Sequence, residues 1–105
     1  MLSSEFLSRD DALARVRECI RASDSSTRYR AHARKQMLAR GVVSADVRRV
    51  LKSGFLIEDP VWEDRYRTWT CAVQGRDSDG KLLTVVIGLP KSGSHLWIVT
   101  AYYTD

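Results

Sequence analysis

The periodicity of the chain changes at Gly54. Before it, apolar residues recur at three- and four-residue intervals; after it, they alternate or gather in short β-branched and aromatic runs. Helices first and strands afterwards specify an α+β domain, with N-terminal helices packed on one face of an antiparallel β-meander. A chain of 105 residues has room for one such core and no second domain. Residues 1–105 therefore read as one unit, 1–26 carrying a leader helix and 27–105 the core.

Local signals subdivide the helical half. Ser8-Arg9-Asp10-Asp11 fits a capping box, with Leu7 placed as a staple, and Leu13, Val16 and Ile20 then form an apolar stripe flanked by Ala12 and Cys19. This predicts a first helix over about 9–22, followed by a loop over 22–26. Thr27–Arg30 is a brief strand or the entry to the second helix. The second helix is expected over about 31–40, with Ala33 and Met37 inward and Gly41 as its stop. Ser44 is expected to cap a third over about 45–53, whose apolar stripe is Val47, Val50 and Leu51.

In the second half, strands are expected at 55–57 and about 66–75, 82–89 and 95–103. Asp77-Ser78-Asp79-Gly80 and Pro90-Lys91-Ser92-Gly93 separate the last three as turns. On strict alternation, Trp97, Val99, Ala101 and Tyr103 share one face of the last strand. Leu96, Ile98, Thr100 and Tyr102 share the other. Arg65 and Arg67, two apart, are expected to point the same way and either clamp a phosphate or pair with Glu63 and Asp64.

Charge is uneven. Residues 1–54 hold 12 Lys/Arg against 6 Asp/Glu, and residues 55–105 hold 5 against 7. Eight cations between Arg28 and Lys52 face a single acid, Asp46. Such a block attracts a polyanion or an acidic partner, or is simply a solvated helix face. Cys19 and Cys71 are too few and too far apart for a disulfide framework or a C-x-x-C pair, and read as small buried hydrophobes in a reducing compartment. The N-terminus has no basic start and apolar run like a secretory signal, and Leu82–Leu89 is too short to span a bilayer. A cytoplasmic protein without a membrane segment is expected.

Several resemblances to chemistry dissolve on inspection. Asp77-x-Asp79-Gly80 fails as a calcium loop, because Gly75 and Val86 fall where acids are needed. Gly88-x-x-x-x-Gly93 is followed by Ser94-His95 and fails as a P-loop. Cys19, His32, Cys71 and His95 lack any short ligand pair, so no metal is called for. Asparagine is absent, which excludes N-glycosylation and Cys-His-Asn catalysis. Helices two and three with their Gly41–Val43 turn have helix-turn-helix lengths. Ser44-Ala45-Asp46, however, supplies no base-reading side chain and an acid that repels phosphate.

The segment Arg28-Tyr29-Arg30-Ala31-His32-Ala33-Arg34-Lys35-Gln36-Met37-Leu38-Ala39-Arg40-Gly41, then Ser44-x-x-Val47-x-x-Val50-Leu51-x-x-Gly54, and the ending Ile98-Val99-Thr100-Ala101-Tyr102 resemble a bacterial family of small domains. That family opens with an H-A-x-x-x-M-x-x-R-G helix and ends its meander in V-x-T-A-Y. The resemblance covers about residues 27–103. It extends to the RelE/ParE/MqsR toxin superfamily and implies a RelE-like fold. The implied activity is an mRNA interferase, acting on or off the ribosome and neutralised by a cognate antitoxin protein.

RNA cleavage through the 2′-hydroxyl needs a base, an acid and cations for the charged phosphorane, and no cofactor. His32 is the leading candidate: it lies in the motif and shares a helix face with Gln36 and Arg40. Its alternative role is structural, orienting the helix on the sheet. Arg67 and Tyr102 are expected to complete the catalytic set. Arg28, Arg30, Arg34, Lys35, Arg40, Arg65, Arg76 and Lys81 are expected to bind RNA. Trp62, Trp69 and Trp97 read as core or partner-facing rather than base-stacking, and His95 as an exposed loop residue. The rival readings are a non-catalytic protein-interaction module of the same fold and a basic DNA-binding regulator.

Overall fold

The computed structural model describes residues 6–22 and 26–104. The loop expected over 22–26 falls mostly outside these residues, as does the start of the N-terminal segment. The order is α1 (Arg9–Ala22), β1 (Thr27–Tyr29), α2 (Ala31–Arg40), α3 (Ser44–Ser53), β2 (Phe55–Leu56), β3 (Val61–Glu63), β4 (Thr68–Arg76), β5 (Leu82–Pro90) and β6 (Leu96–Tyr103). This is the α+β arrangement that the change of period at Gly54 implies. No helix among the described residues is long and apolar enough to cross a membrane.

Helix boundaries follow the local chemistry closely. Ser8 Oγ accepts the Asp11 amide at 3.1 Å, the first half of a capping box. Gly41 ends α2 in the left-handed region at φ 71°, its amide bonded to the Leu38 carbonyl. Ser44 differs from expectation. It is the first residue of α3, preceded by extended Val43 and without a side-chain cap. At the other end Gly54 must be glycine because α3 lands on β4. A Cβ there would stand 2.5 Å from the Gln74 carbonyl oxygen and 2.7 Å from that of Val50.

The sheet order is β1-β6-β5-β4-β2, with β3 also paired to β4. β4, β5 and β6 form the expected antiparallel meander. Two features depart from it. Thr27–Tyr29 is a strand, and it pairs parallel to β6, making the sheet mixed. Val61–Glu63 is a further strand on β4, and residues 64–67 form the intervening turn rather than the start of a strand. Arg65 and Arg67 thus do not share a strand face.

One face of the sheet carries the core. Cys71, Val73, Val85, Ile87, Leu89, Ile98 and Ala101 meet Ala12, Val16 and Ile20 of α1 and Val47, Val50 and Leu51 of α3. Cys19 and Cys71 are free and buried, and burial pushes the Cys71 thiol up to about 12. α2 contributes Ala33 and Met37 and lies beside β6, beyond the end of β1.

The opposite face is polar. Paired residues across strands lie on the same side, so this face has three rows: Thr70–Gly88–Trp97–Arg28, Ala72–Val86–Thr100 and Gln74–Thr84–Tyr102. A β-bulge decides which β6 residues belong to it. Val86 pairs with Thr100 but Ile87 pairs with Ile98, leaving Val99 as the extra residue. One inserted residue reverses the alternation beyond it. Leu96 and Ile98 therefore share the core face with Ala101 and Tyr103, while Trp97, Thr100 and Tyr102 share the polar one. Strict alternation assigns these faces wrongly on one side of Val99.

Candidate functional site

A cleft of about 420 Å³ opens on the polar face, lined by Arg30, His32, Glu63, Tyr66, Thr68, Thr70 and Val99. Five separate features build it. The β1–α2 junction supplies Arg30 and His32. The β3–β4 hairpin supplies Glu63 and Tyr66 from one side. Thr68 and Thr70 project from β4 on the polar face. The bulge turns Val99 into the wall, as bulges re-aim side chains. Gly88, opposite Thr70, makes room for the Thr68 side chain; a Cβ there would meet Thr68 Oγ1 at 3.3 Å.

His32 is held by a hydrogen-bonded chain. Arg40 Nη1 donates to Thr100 Oγ1 and to the Ala101 carbonyl, both at 3.0 Å. The Thr100 hydroxyl donates to Gln36 Oε1. The Gln36 amide nitrogen meets His32 Nε2 at 2.8 Å. With the amide donating, the neutral ring carries its proton on Nδ1. Turning the amide by 180° lets its carbonyl accept from a ring N–H at Nε2 while its NH2 donates to Thr100 Oγ1 in place of the bond from that hydroxyl. The helix stripe His32, Gln36, Arg40 thus meets Thr100-Ala101: the two sequence motifs join in space.

The arginines here lie over rings. Arg30 sits 4.5 Å from the Tyr66 ring centre and 5.0 Å from that of Trp97. Arg28 lies 5.7 Å from Trp97, Arg65 5.4 Å from Tyr66, and Arg34 4.4 Å from Tyr29. Such stacking orients a guanidinium while leaving its edge N–H groups to bind an anion. Among the described residues Glu63 is the one acid lining the cleft, and it accepts the Arg65 amide at 3.2 Å.

The other expected site residues are dispersed. Arg67 sits in the β3–β4 turn at φ 57°, pairs with Asp64 at 3.2 Å and lies over Trp62, whose side chain is on the core-facing side of its strand. It does not line the cleft. Tyr102 is exposed on the polar face, two rows from Thr70, and does not line it either. Arg76 and Lys81 flank the β4–β5 turn, roughly 26 Å along β4 from Thr68, beside Leu82, Tyr103 and Thr104. Lys35 is exposed on α2.

His95 is half-buried and edge-on to Trp97 at 6.4 Å, and burial together with Arg28 holds its pKa below 6.5. Trp62 and Trp69 pack edge-to-face at 5.0 Å. Trp97 is the exception among the tryptophans, since it lies on the polar face. Among the described residues no three His, Cys, Asp or Glu side chains gather into a metal-holding group.

Of the residues with chemistry to offer, Glu63 escapes sequence reasoning, and Arg30 is expected to bind RNA but without a position. Glu63 reads as a neighbour of Arg65 until β3 is recognised; pairing with Thr68 then turns it to the polar face. Arg30 reads as one cation among eight until the β1–β6 pairing fixes its position. The α3 first turn, the part a DNA reader would need free, is tied back instead: Asp46 is buried and accepts the Ser78 amide at 3.1 Å.

Residues 29–103 match a family model described as "Domain of unknown function (DUF4258)". Neither the curated proteins nor the solved structures provided a match.

Proposed function

We propose, from the premise that this chain belongs to the DUF4258 family, that it binds RNA in the polar-face cleft and cleaves it through the 2′-hydroxyl. One observation carries this reading: the cleft brings an imidazole, a carboxylate and a guanidinium together, from His32, Glu63 and Arg30. Glu63 takes the proton of the 2′-hydroxyl, and the resulting oxygen attacks the adjacent phosphorus. Arg30 stabilises the charge of the phosphorane. The His32 imidazolium gives its Nδ1 proton to the departing 5′-oxygen while Gln36 Oε1 holds Nε2–H. The products are a 2′,3′-cyclic phosphate and a free 5′-hydroxyl.

The resemblance to the RelE/ParE/MqsR toxins supplies the cellular context. In it, the protein is the toxin of a bacterial type II pair, a cytoplasmic mRNA interferase that a cognate antitoxin silences. The excess of cations between Arg28 and Lys52 supports a polyanionic substrate.

The test is cleavage of a labelled RNA, with and without ribosomes, by the wild type, His32→Ala and Glu63→Gln. Each variant is expected to lose about 10²–10⁴ in rate, and a 2′-deoxy substitution at the cut site should abolish cleavage. Undiminished cutting by His32→Ala removes it from the chemistry. No cutting by the wild type in either condition overturns the reading.

A further inference from the structure

We infer that Trp97 is a stacking platform for an unpaired base of single-stranded RNA, next to the cleft and sharing Arg30 with it. The inference rests on the reading of the cleft as an RNA site and adds the class of RNA it accepts.

Trp97 is only half-buried and belongs to the polar face, although its neighbours Leu96 and Ile98 are fully buried in the core. Its cross-strand partner is Gly88, whose other partner is Thr70 in the cleft wall. The Thr68 side chain, which lines the cleft, covers Gly88, so the indole stands beside the cleft wall across this one pair of strands. An indole needed only for packing would be expected on the core face, where Trp69 is.

The surroundings select the ligand. Arg28 and Arg30 both lie over the Trp97 indole. A ring flanked by guanidiniums suits an aromatic group that carries negative charge beside it, and a nucleotide has that composition. A base entering the stack displaces a guanidinium from the ring onto the flanking phosphate, exchanging a cation–π contact for a charge-assisted hydrogen bond. A paired base cannot do this, because its faces are already stacked on neighbours.

The experiment uses 2′-O-methyl RNA, which cannot be cut by the 2′-hydroxyl route, so binding is read independently of cleavage. A labelled eight-nucleotide strand and the same strand annealed to its complement are titrated with wild type, Trp97→Leu and Trp97→Phe, with circular dichroism confirming the fold. Trp97→Leu is expected to weaken single-strand binding about tenfold and leave duplex binding unchanged, while Trp97→Phe retains most of the affinity. Equal affinity for single strand and duplex, or unchanged single-strand binding by Trp97→Leu, overturns the platform. Unmodified RNA then separates the two ideas. Trp97-dependent binding without any cutting keeps the platform and sinks the nuclease. Cutting by the wild type with Trp97-independent binding does the reverse.

Discussion

The Arg40 guanidinium reaches across to the end of β6 and donates to the Thr100 hydroxyl at 3.0 Å. These residues are 60 positions apart in the chain. Their bond joins the helix motif to the strand motif, and through Gln36 it sets the orientation of His32.

That chain predicts positioning effects. Thr100→Val removes the hydroxyl between Arg40 and Gln36 while nearly keeping its volume. One such hydrogen bond contributes about 1 kcal/mol, so RNA cleavage should fall roughly five- to tenfold in kcat. Single-turnover assays should show it with RNA affinity little changed and the melting temperature lowered by about 4–8 °C. A change in KM alone would contradict a role in orienting His32.

Arg30 and Arg67 should behave differently although both are arginines beside aromatic rings. Arg30→Ala removes the cleft's guanidinium and should cost about 10²-fold or more in cleavage. Arg67→Ala breaks an exposed pair with Asp64, where such pairs contribute about 0–1 kcal/mol, and should leave cleavage within about twofold. Equal losses would return Arg67 to the catalytic set.

Two glycines should differ in cost for different physical reasons. Gly41→Ala meets nothing within 4 Å but must adopt φ 71°, a strain of about 1–2 kcal/mol. Gly54→Ala drives a Cβ into two backbone carbonyls at 2.5 and 2.7 Å, which flexible side chains cannot relieve. It should cost about 3 kcal/mol or more, or leave the chain unfolded. Denaturant titration should rank the two in that order.

The β4–β5 turn predicts the pH limits of stability. Asp77 accepts the amides of Asp79 at 2.9 Å and Lys81 at 2.8 Å, and the Tyr103 hydroxyl at 2.8 Å. Partial burial raises its carboxyl, but these donors and the Lys81 charge outweigh it and hold the pKa below 3.8. Its contribution is therefore present above pH 3.8 and lost as pH falls through the lower folded value. Burial and the Asp77 carboxylate raise Tyr103 from 10.0 to about 12. The bond is thus retained at moderate alkalinity, and its contribution fades between pH 10 and about 12. Thermal melts across pH should show both edges, and Asp77→Ala should flatten the acid one.

Much of the architecture was legible because it depends on local chemistry. The Ser8 cap, Gly41 stop, helix stripes and two turns each act within a few residues, and each appears where the spacing indicates. β1 and β3 were harder. Three residues carry almost no periodicity, and their strand character comes from partners at Leu96–Ile98 and Thr68–Thr70. The candidate site was legible in part for the same reason. His32 stands in a motif and Arg30 in a basic run, whereas Glu63 becomes a site residue only through strand pairing.

The amino-acid sequence by itself determined the change of period at Gly54, the α+β class, the basic character of the hairpin and the helix face shared by His32, Gln36 and Arg40. These follow from side-chain chemistry and from fixed repeats of 3.6 and 2 residues. Only the tertiary structure decided which residues face one another. The bulge at Val99 reversed the β6 alternation on one side of it, so that Trp97 shares the polar face with Thr100 and Tyr102 while Leu96 and Ile98 join Ala101 on the core face. A single extra residue does this because strand side chains alternate with period two, and only the pairing with β5 reveals where that residue is inserted.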